Sequence, residues 1–399
     1  MCVAFSKYGG LRWRGLMTPC GLRRYSSLAP RSSRPAGAAT GGVEEAFDDA
    51  KRRAVDQLQR GDVAAALSTL DRLKEAMHAP PPSSPSSRPE PSAHEQHPRR
   101  EAREGVDYLR GACFLQAGDA LAARQALLEE MRLSPENDQA WDLLSRVEED
   151  PGVQAFLKLP ADIAAKEPHF ALVYDGVVRH TMLHWPRLLS LWQRTRAVCK
   201  AGVEGNLIEC GVAGGGGSIV MAVAARLGDS ERSHKRPSSS GRTVFALDTF
   251  RGMPAPTASD VTVGDLTAAD STRWSTGTCA APADHVLRLA AHFDVSVVPV
   301  VGPFGTVPLP PSATCFAAAH IDADWFESTK SALAVVWPRL QSGAFVQLDD
   351  YNYWKGCKDG ADAYFSSLTE ADLGAFPYHR TRRPAWRKVD GNAVYCHVT

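Results

Sequence analysis

Asn206-Leu-Ile-Glu-Cys-Gly-Val-Ala-Gly-Gly-Gly-Gly-Ser218 is the stretch that decides the fold of the C-terminal half. It opens with a short apolar run, as a strand covered on both faces requires. Glycines end the run, and residues 217–227 continue as an apolar helix. A strand, a glycine turn and a helix in that order make the first unit of a parallel α/β sheet.

Working outward, the pattern repeats. Thr243-Val-Phe-Ala-Leu-Asp248, Val295-Ser-Val-Val-Pro-Val300 and residues 315–321 read as further buried strands. Residues 328–340 read as a helix, Gly343-Ala-Phe-Val-Gln-Leu-Asp349 as a strand and 362–369 as a helix. Val394-Tyr-Cys-His-Val398 closes the chain as a strand. Strands alternating with helices predict an α/β fold with a doubly wound, mostly parallel sheet. Ligands in such sheets sit beyond the carboxyl ends of the strands, and the acidic and glycine-rich residues of this half fall there.

The glycine turn by itself suits a dinucleotide, a phosphate or a nucleoside, or no ligand at all. Glu209, two residues before Gly211, disfavours phosphate and suits the sulfonium and amino groups of S-adenosylmethionine. Asp248 ends the second strand, where an acid commonly takes ribose hydroxyls or caps the next turn. The sharpest cluster is His320-Ile-Asp-Ala-Asp-Trp-Phe-Glu-Ser-Thr329 together with Leu348-Asp-Asp-Tyr351. Neighbouring strands about 4.8 Å apart let Asp322, Asp324, Asp349 and Asp350 converge. Four unpaired acids would raise one another's pKa. A bound cation relieves that, and oxygen ligands suit Mg²⁺, Mn²⁺ or Ca²⁺ rather than zinc.

With these pieces in order, the chain resembles the macrocin O-methyltransferase (TylF-type) family. The resemblance rests on Thr181-Met182, Leu207-Ile-Glu-Cys-Gly-Val-Ala-Gly-Gly215, Asp248-Thr-Phe-Arg-Gly-Met-Pro254, Gly302-Pro-Phe304, Asp322-Ala-Asp-Trp-Phe-Glu-Ser-Thr329, Trp337-Pro-Arg-Leu340 and Gly343-Ala-Phe-Val-Gln-Leu-Asp-Asp-Tyr351, from about residue 170 onward. It implies the seven-stranded, Rossmann-like class I methyltransferase sheet and methylation of a hydroxyl, often on a sugar. It implies that Glu209, Cys210, Gly211, Val212 and Ala213 hold S-adenosylmethionine, with Asp248, Thr249, Phe250, Gly252, Gly302 and Asp322. Thr181 and Met182 would come from a lid over the cofactor. Asp322, Asp349 and Asp350 would bind Mg²⁺, and Asp324 would be the general base. The chain departs from the family pattern in Trp325-Phe326, in four consecutive glycines at 214–217 and in a polar insert at 229–242. These bear on the substrate more than on the reaction.

The N-terminal part is different in kind. Residues 1–43 contain no Asp or Glu but carry Lys7, Arg12, Arg14, Arg23, Arg24, Arg31 and Arg34. An Arg-rich, Ser-containing, acid-free leader is the signature of an organelle transit peptide. A mitochondrial matrix is favoured over a plastid, and the cytoplasm follows if the leader is no transit peptide. Residues 44–150 read as helices, with turns at Arg60-Gly-Asp62 and Ala117-Gly-Asp119 in spacings that resemble tetratricopeptide repeats. A Pro/Ser-rich insert at about 79–99 is too polar to fold. The helical region either packs as a short pair of hairpins or docks a protein partner or a second copy. Residues 151–399 form the methyltransferase domain.

Composition narrows the partners. With 45 Lys and Arg against 45 Asp and Glu, the chain has no net charge to offer nucleic acid. No apolar run approaches the length of a membrane span. The nine cysteines include no CxxC pair, so neither zinc nor a redox motif is indicated. The expected partner is a small-molecule hydroxyl acceptor. Two other classes compete: a helical-repeat adaptor with an inactive methyltransferase-like domain, and a nicotinamide oxidoreductase. The incomplete GxGxxG speaks against the second, and the full set of aspartates against the first.

Overall fold

The computed structural model describes residues 41–78, 104–233, 241–262 and 273–399. The expected leader, all but its last three residues, and the Pro/Ser-rich insert lie outside the described residues. The chain divides into two compact units. One comprises residues 1–155 and 272–278, the other residues 156–271 and 279–399.

The first unit is helical. Its elements are α1 (Gly41–Gln59), α2 (Val63–His78), α3 (Val106–Ala117), α4 (Ala120–Leu133) and α5 (Asp138–Glu148), and α6 (Pro151–Leu157) runs across the division. Left-handed Gly118 stops α3, and the Asp119 side chain caps α4 by accepting from the Ala122 N–H at 2.9 Å. The interior is charged as well as apolar. Lys74 Nζ lies 2.6 Å from Asp107 and 3.2 Å from Glu129, and Arg110 Nε donates to Asp71 at 3.1 Å. Lys74, Asp107, Glu129 and Arg110 are all buried. Removing one partner from such a network leaves an uncompensated buried charge, which is strongly destabilising.

The second unit opens with α7 (Ala161–Lys166), α8 (Pro168–Val177) and α9 (Trp185–Lys200). The sheet region then runs β1 (Asn206–Cys210), α10 (Gly216–Ser233), β2 (Val244–Asp248), α11 (Ala283–His292), β3 (Val297–Val301), β4 (Phe316–Ile321) and α12 (Phe326–Val336). A 3₁₀ turn (Trp337–Arg339), β5 (Leu340–Leu348), α13 (Lys355–Ser367), α14 (Glu370–Ala375), β6 (Arg387–Lys388) and β7 (Val394–His397) complete it. The sheet has seven strands in the order β3-β2-β1-β4-β5-β7-β6. β1 to β5 pair in parallel, whereas β7 runs antiparallel to both β5 and β6. The sheet is therefore mixed at one edge. Every residue of β4 is buried, as a central strand covered on both faces requires.

Register positions the site. Cys210 pairs with Leu247 and with Ile321, and Ile321 pairs with Leu348. The next residues, Gly211, Asp248, Asp322 and Asp349, therefore fall in one row along the carboxyl edge.

Some elements extend beyond the sequence-based expectation. The helix expected at 362–369 begins at Lys355, because Gly356 and Gly360 do not break it. A Cβ at Gly360 would meet the Phe326 carbonyl at 2.4 Å, so glycine here serves the close approach of α13 to α12. The two-residue strand β6 was too short to show a period.

Candidate active site

The glycine turn is held together from inside. Gly211 has φ +83, and a Cβ there would lie 1.8 Å from the carbonyl oxygen of Asp322. Only glycine lets the β1 and β4 ends approach this closely. Asp248 binds the turn on the other side: its Oδ2 accepts from the N–H groups of Val212 (2.7 Å) and Ala213 (3.2 Å), and its Oδ1 from Phe250 (2.8 Å). Its carbonyl accepts from Gly302 at 2.9 Å. Thr249 Oγ1 donates to the Gly252 carbonyl at 3.2 Å and accepts from the Arg251 N–H. Ala213, Phe250 and Asp324 carry φ of 44, 55 and 54. Non-glycine residues in this region cost energy and gather at functional sites.

The structure thus brings Gly211, Val212, Ala213, Asp248, Thr249, Phe250, Gly252 and Gly302 to one end of β1, β2 and β3. Gly216 N–H bonds the His180 carbonyl at 2.9 Å, which sets Thr181 and Met182 beside the turn. Thr181 Oγ1 accepts from Leu183 N–H at 3.0 Å, and the Met182 sulfur lies 3.9 Å from Cys279 Sγ.

Two expected cofactor contacts have other engagements. The Cys210 side chain is fully buried, and burial pushes its thiol well above the usual range. It offers the edge only backbone. Glu209 is 2 % exposed, and its carboxylate accepts from Ser218 Oγ and bonds His320 Nδ1 at 2.8 Å. The Glu209 side chain thus lies buried and joins α10 to β4. The cause is strand alternation and full coverage of β1, which turn this side chain inward.

The four aspartates separate into two roles. Asp322, Asp324 and Asp350 each bring a carboxylate oxygen within 4.8 Å of the others. Burial, then repulsion from Asp349, Asp350 and Asp324, pushes Asp322 well above the usual carboxylate range. Burial and Asp350 do the same to Asp324, and burial and Asp349 raise Asp350. Asp349 is different. Burial would raise it, but Arg187 and His320 outweigh that and hold it below its ordinary value. Arg187 bonds Asp349 directly, lies 3.9 Å from Asp350, and donates through Nε to Asp390 at 2.8 Å. His320 Nε2 lies 3.6 Å from the other Asp349 oxygen. Burial lowers His320, but its carboxylate partners Asp349 and Glu209 prevail and raise it to about 9. The converging set is therefore Asp322, Asp324 and Asp350, where the resemblance implied Asp322, Asp349 and Asp350.

Trp354 completes the picture. Its Nε1 donates to Asp324 Oδ1 at 3.1 Å, and its ring meets Trp325 edge-on at 4.9 Å. Trp325 Nε1 in turn donates to the Pro254 carbonyl at 3.1 Å. Tyr351 and Trp386, both half-buried, pair at 5.7 Å. Sequence reading missed Arg187 and Trp354, and it quoted His320 with the cluster but gave it no role. Nothing local marks Arg187, which reaches the cluster from α9; Trp354, four residues past Asp350, carried a faint signal.

The donor set suits a hard divalent cation: three oxygens, no sulfur, and mutual repulsion for a cation to relieve. The turn suits a nucleoside-bearing ligand through its ordered backbone and the partly exposed Asp248.

Known proteins match the same region. The macrocin-O-methyltransferase (TylF) family matches residues 175–370. Demethyldecarbamoylnovobiocin O-methyltransferase of Streptomyces niveus is 32% identical over 197 residues, covering 48% of this chain and 70% of the relative. A tetracenomycin rhamnosyl 4'-O-methyltransferase of Streptomyces olivaceus, 8-demethyl-8-(2,3-dimethoxy-alpha-L-rhamnosyl)-tetracenomycin-C 4'-O-methyltransferase, is 33% identical over 195 residues, covering 47% and 68%. The solved O-methyltransferase NovP aligns at TM-score 0.42 and 28% identity, covering 55% of this chain and 81% of that one. Two relatives above 30% identity, each matched over more than two thirds of its length, agree with the family match, and the chain belongs to the macrocin O-methyltransferase (TylF) family of O-methyltransferases.

Proposed function

We propose that this enzyme transfers a methyl group from S-adenosylmethionine to a hydroxyl of a small molecule bearing adjacent oxygens, such as a sugar diol, with Mg²⁺ at the aspartate cluster. The observation that carries the proposal is the convergence of Asp322, Asp324 and Asp350, all raised in pKa, beside the glycine turn. The relative named as a rhamnosyl-tetracenomycin-C 4'-O-methyltransferase supports a sugar acceptor.

Asp322 and Asp350 would hold the cation. When bound, Mg²⁺ supplies a Lewis acid that lowers the pKa of an acceptor hydroxyl. Asp324 takes the proton from that hydroxyl. Trp354 donates to one Asp324 oxygen at 3.1 Å and so orients the carboxylate. Asp349, neutralised by Arg187 and His320, anchors the end of β5 without adding another unpaired charge to the cluster. Asp248 and the backbone of residues 211–213 seat the cofactor, and Thr181 and Met182 flank it. Much of the rate gain is the positioning of two bound reactants.

The test is Mg²⁺-dependent methyl transfer to a panel of sugar diols and catechols. Asp324→Asn is expected to lower turnover by about 10²–10⁴-fold while binding S-adenosylmethionine as the wild type does. A purified protein that binds no S-adenosylmethionine in calorimetry would overturn the reading.

A further inference from the structure

His180 and His285 belong to none of the roles above. His180 stands in the bend between α8 and α9. Its N–H donates to the Val177 carbonyl at 2.7 Å, and its own carbonyl accepts from Gly216 at 2.9 Å. His285 lies in the first turn of α11. Both anchors are backbone-fixed, and the two rings face each other. His180 Nδ1 and His285 Nε2 are 3.0 Å apart, with ring centroids at 5.1 Å and an interplanar angle of 41°. Both rings are half-buried and line a surface pocket of roughly 340 Å³ with Gly176, Arg288, Leu289 and His292.

Two imidazole nitrogens aimed at each other have two uses. They share one proton as donor and acceptor, or each gives a lone pair to one cation. Zinc–imidazole bonds of about 2.0–2.1 Å put two ligand nitrogens of a tetrahedral ion roughly 3.3 Å apart. The observed separation is within a few tenths of an ångström of that. The pocket opens to solvent, so an ion has a path in. Arg288 is the nearby positive charge, and Asp284 offsets it through an ion pair at 2.5 Å.

We propose that His180 and His285 form a two-imidazole site for a borderline transition-metal cation of the Zn²⁺ class, separate from the aspartate cluster. The two sites differ in chemistry: imidazole nitrogen selects zinc, copper or nickel, while the carboxylates select harder ions. Among the described residues, only Asp322, Asp324 and Asp350 form a group of three or more acidic, histidine or cysteine ligands close enough to share one ion. Because the His180 carbonyl holds Gly216, an ion bridging the two rings pins the α8–α9 bend and α11 on either side of the glycine turn.

The test is calorimetric titration of the full-length protein with Zn²⁺ in saturating Mg²⁺, which keeps the aspartates occupied. Imidazole ¹⁵N spectra are followed in parallel. One Zn²⁺ equivalent is expected, moving the Nδ1 resonance of His180 and the Nε2 resonance of His285. His180→Gln and His285→Gln should each weaken binding by at least about tenfold, or 1.4 kcal/mol, and His292→Gln should not. Unmoved ring resonances in the wild type at saturating Zn²⁺ overturn the proposal, and this readout requires no variant to fold. Equal Zn²⁺ affinity in wild type and both glutamine variants overturns it as well. Neither result bears on methyl transfer, so its failure is distinguishable from failure of the proposed activity.

Discussion

Asp324 combines a left-handed backbone, a carboxyl raised by its neighbours and a fixed indole donor. Single residues of this kind set two measurable properties of the site. The first is pH dependence. A cation binds the ionised carboxylates, and Asp322, Asp324 and Asp350 hold their protons to higher pH than ordinary aspartates. Lowering the pH through that raised range makes protons compete with the metal. Mn²⁺ affinity measured by calorimetry is expected to weaken as pH is lowered from 8 towards the ordinary aspartate range, with proton release on binding. An affinity flat across that interval would contradict the raised values. The second is the fit of the turn. Gly211→Ala forces a Cβ against the Asp322 carbonyl at a φ that alanine disfavours. A loss of about 2–4 kcal/mol in unfolding free energy is expected, read by denaturant titration. The aspartates themselves were legible in the sequence, because strand-end acids on neighbouring strands must converge. Their division of labour was not, since Arg187 is 162 positions from Asp349 in the chain.

At the scale of elements, helix α4 carries an acid whose charge the fold resists. Glu130 accepts from Gly105 N–H at 2.7 Å, Tyr108 N–H at 3.3 Å and Asn137 Nδ2 at 2.9 Å. Burial and the nearby Asp107 outweigh these bonds and raise it from an ordinary 4.5 to about 7. The sign follows from linkage. Between these two values the folded state keeps a proton that the unfolded chain has lost, so stability falls as pH rises from about 4.5 to about 7, then levels. Glu130→Gln is expected to remove up to about 3 kcal/mol of that pH dependence, measured by urea unfolding at pH 5 and pH 7.5. An unchanged slope would show that Glu130 titrates normally. Helices α3 and α4 and their glycine turn were readable from spacing alone, because capping and periodicity are local. The start of α13 was not: glycine is a helix breaker locally and a packing device only when another backbone lies against it.

At the scale of the whole molecule, an acid-free basic segment precedes a helical unit and a methyltransferase unit in the chain. We propose, on the sequence alone, that residues 1–43 direct import into an organelle, mitochondria before plastids. A fluorescent protein fused to this segment is expected to enter mitochondria, and diffuse cytoplasmic signal would refute import. Among the described residues, no helix is long and apolar enough to cross a membrane. By itself the sequence determined the class of fold and the strand ends where the aspartates lie, because buried strands declare themselves through continuous apolar runs and each ends where polarity returns. Only the tertiary structure decided which aspartates stand together, that Glu209 faces inward to Ser218 and His320, and that the last strand runs antiparallel. Those outcomes depend on partners from distant parts of the chain, whose distances and electric fields exist only once the sheet has formed.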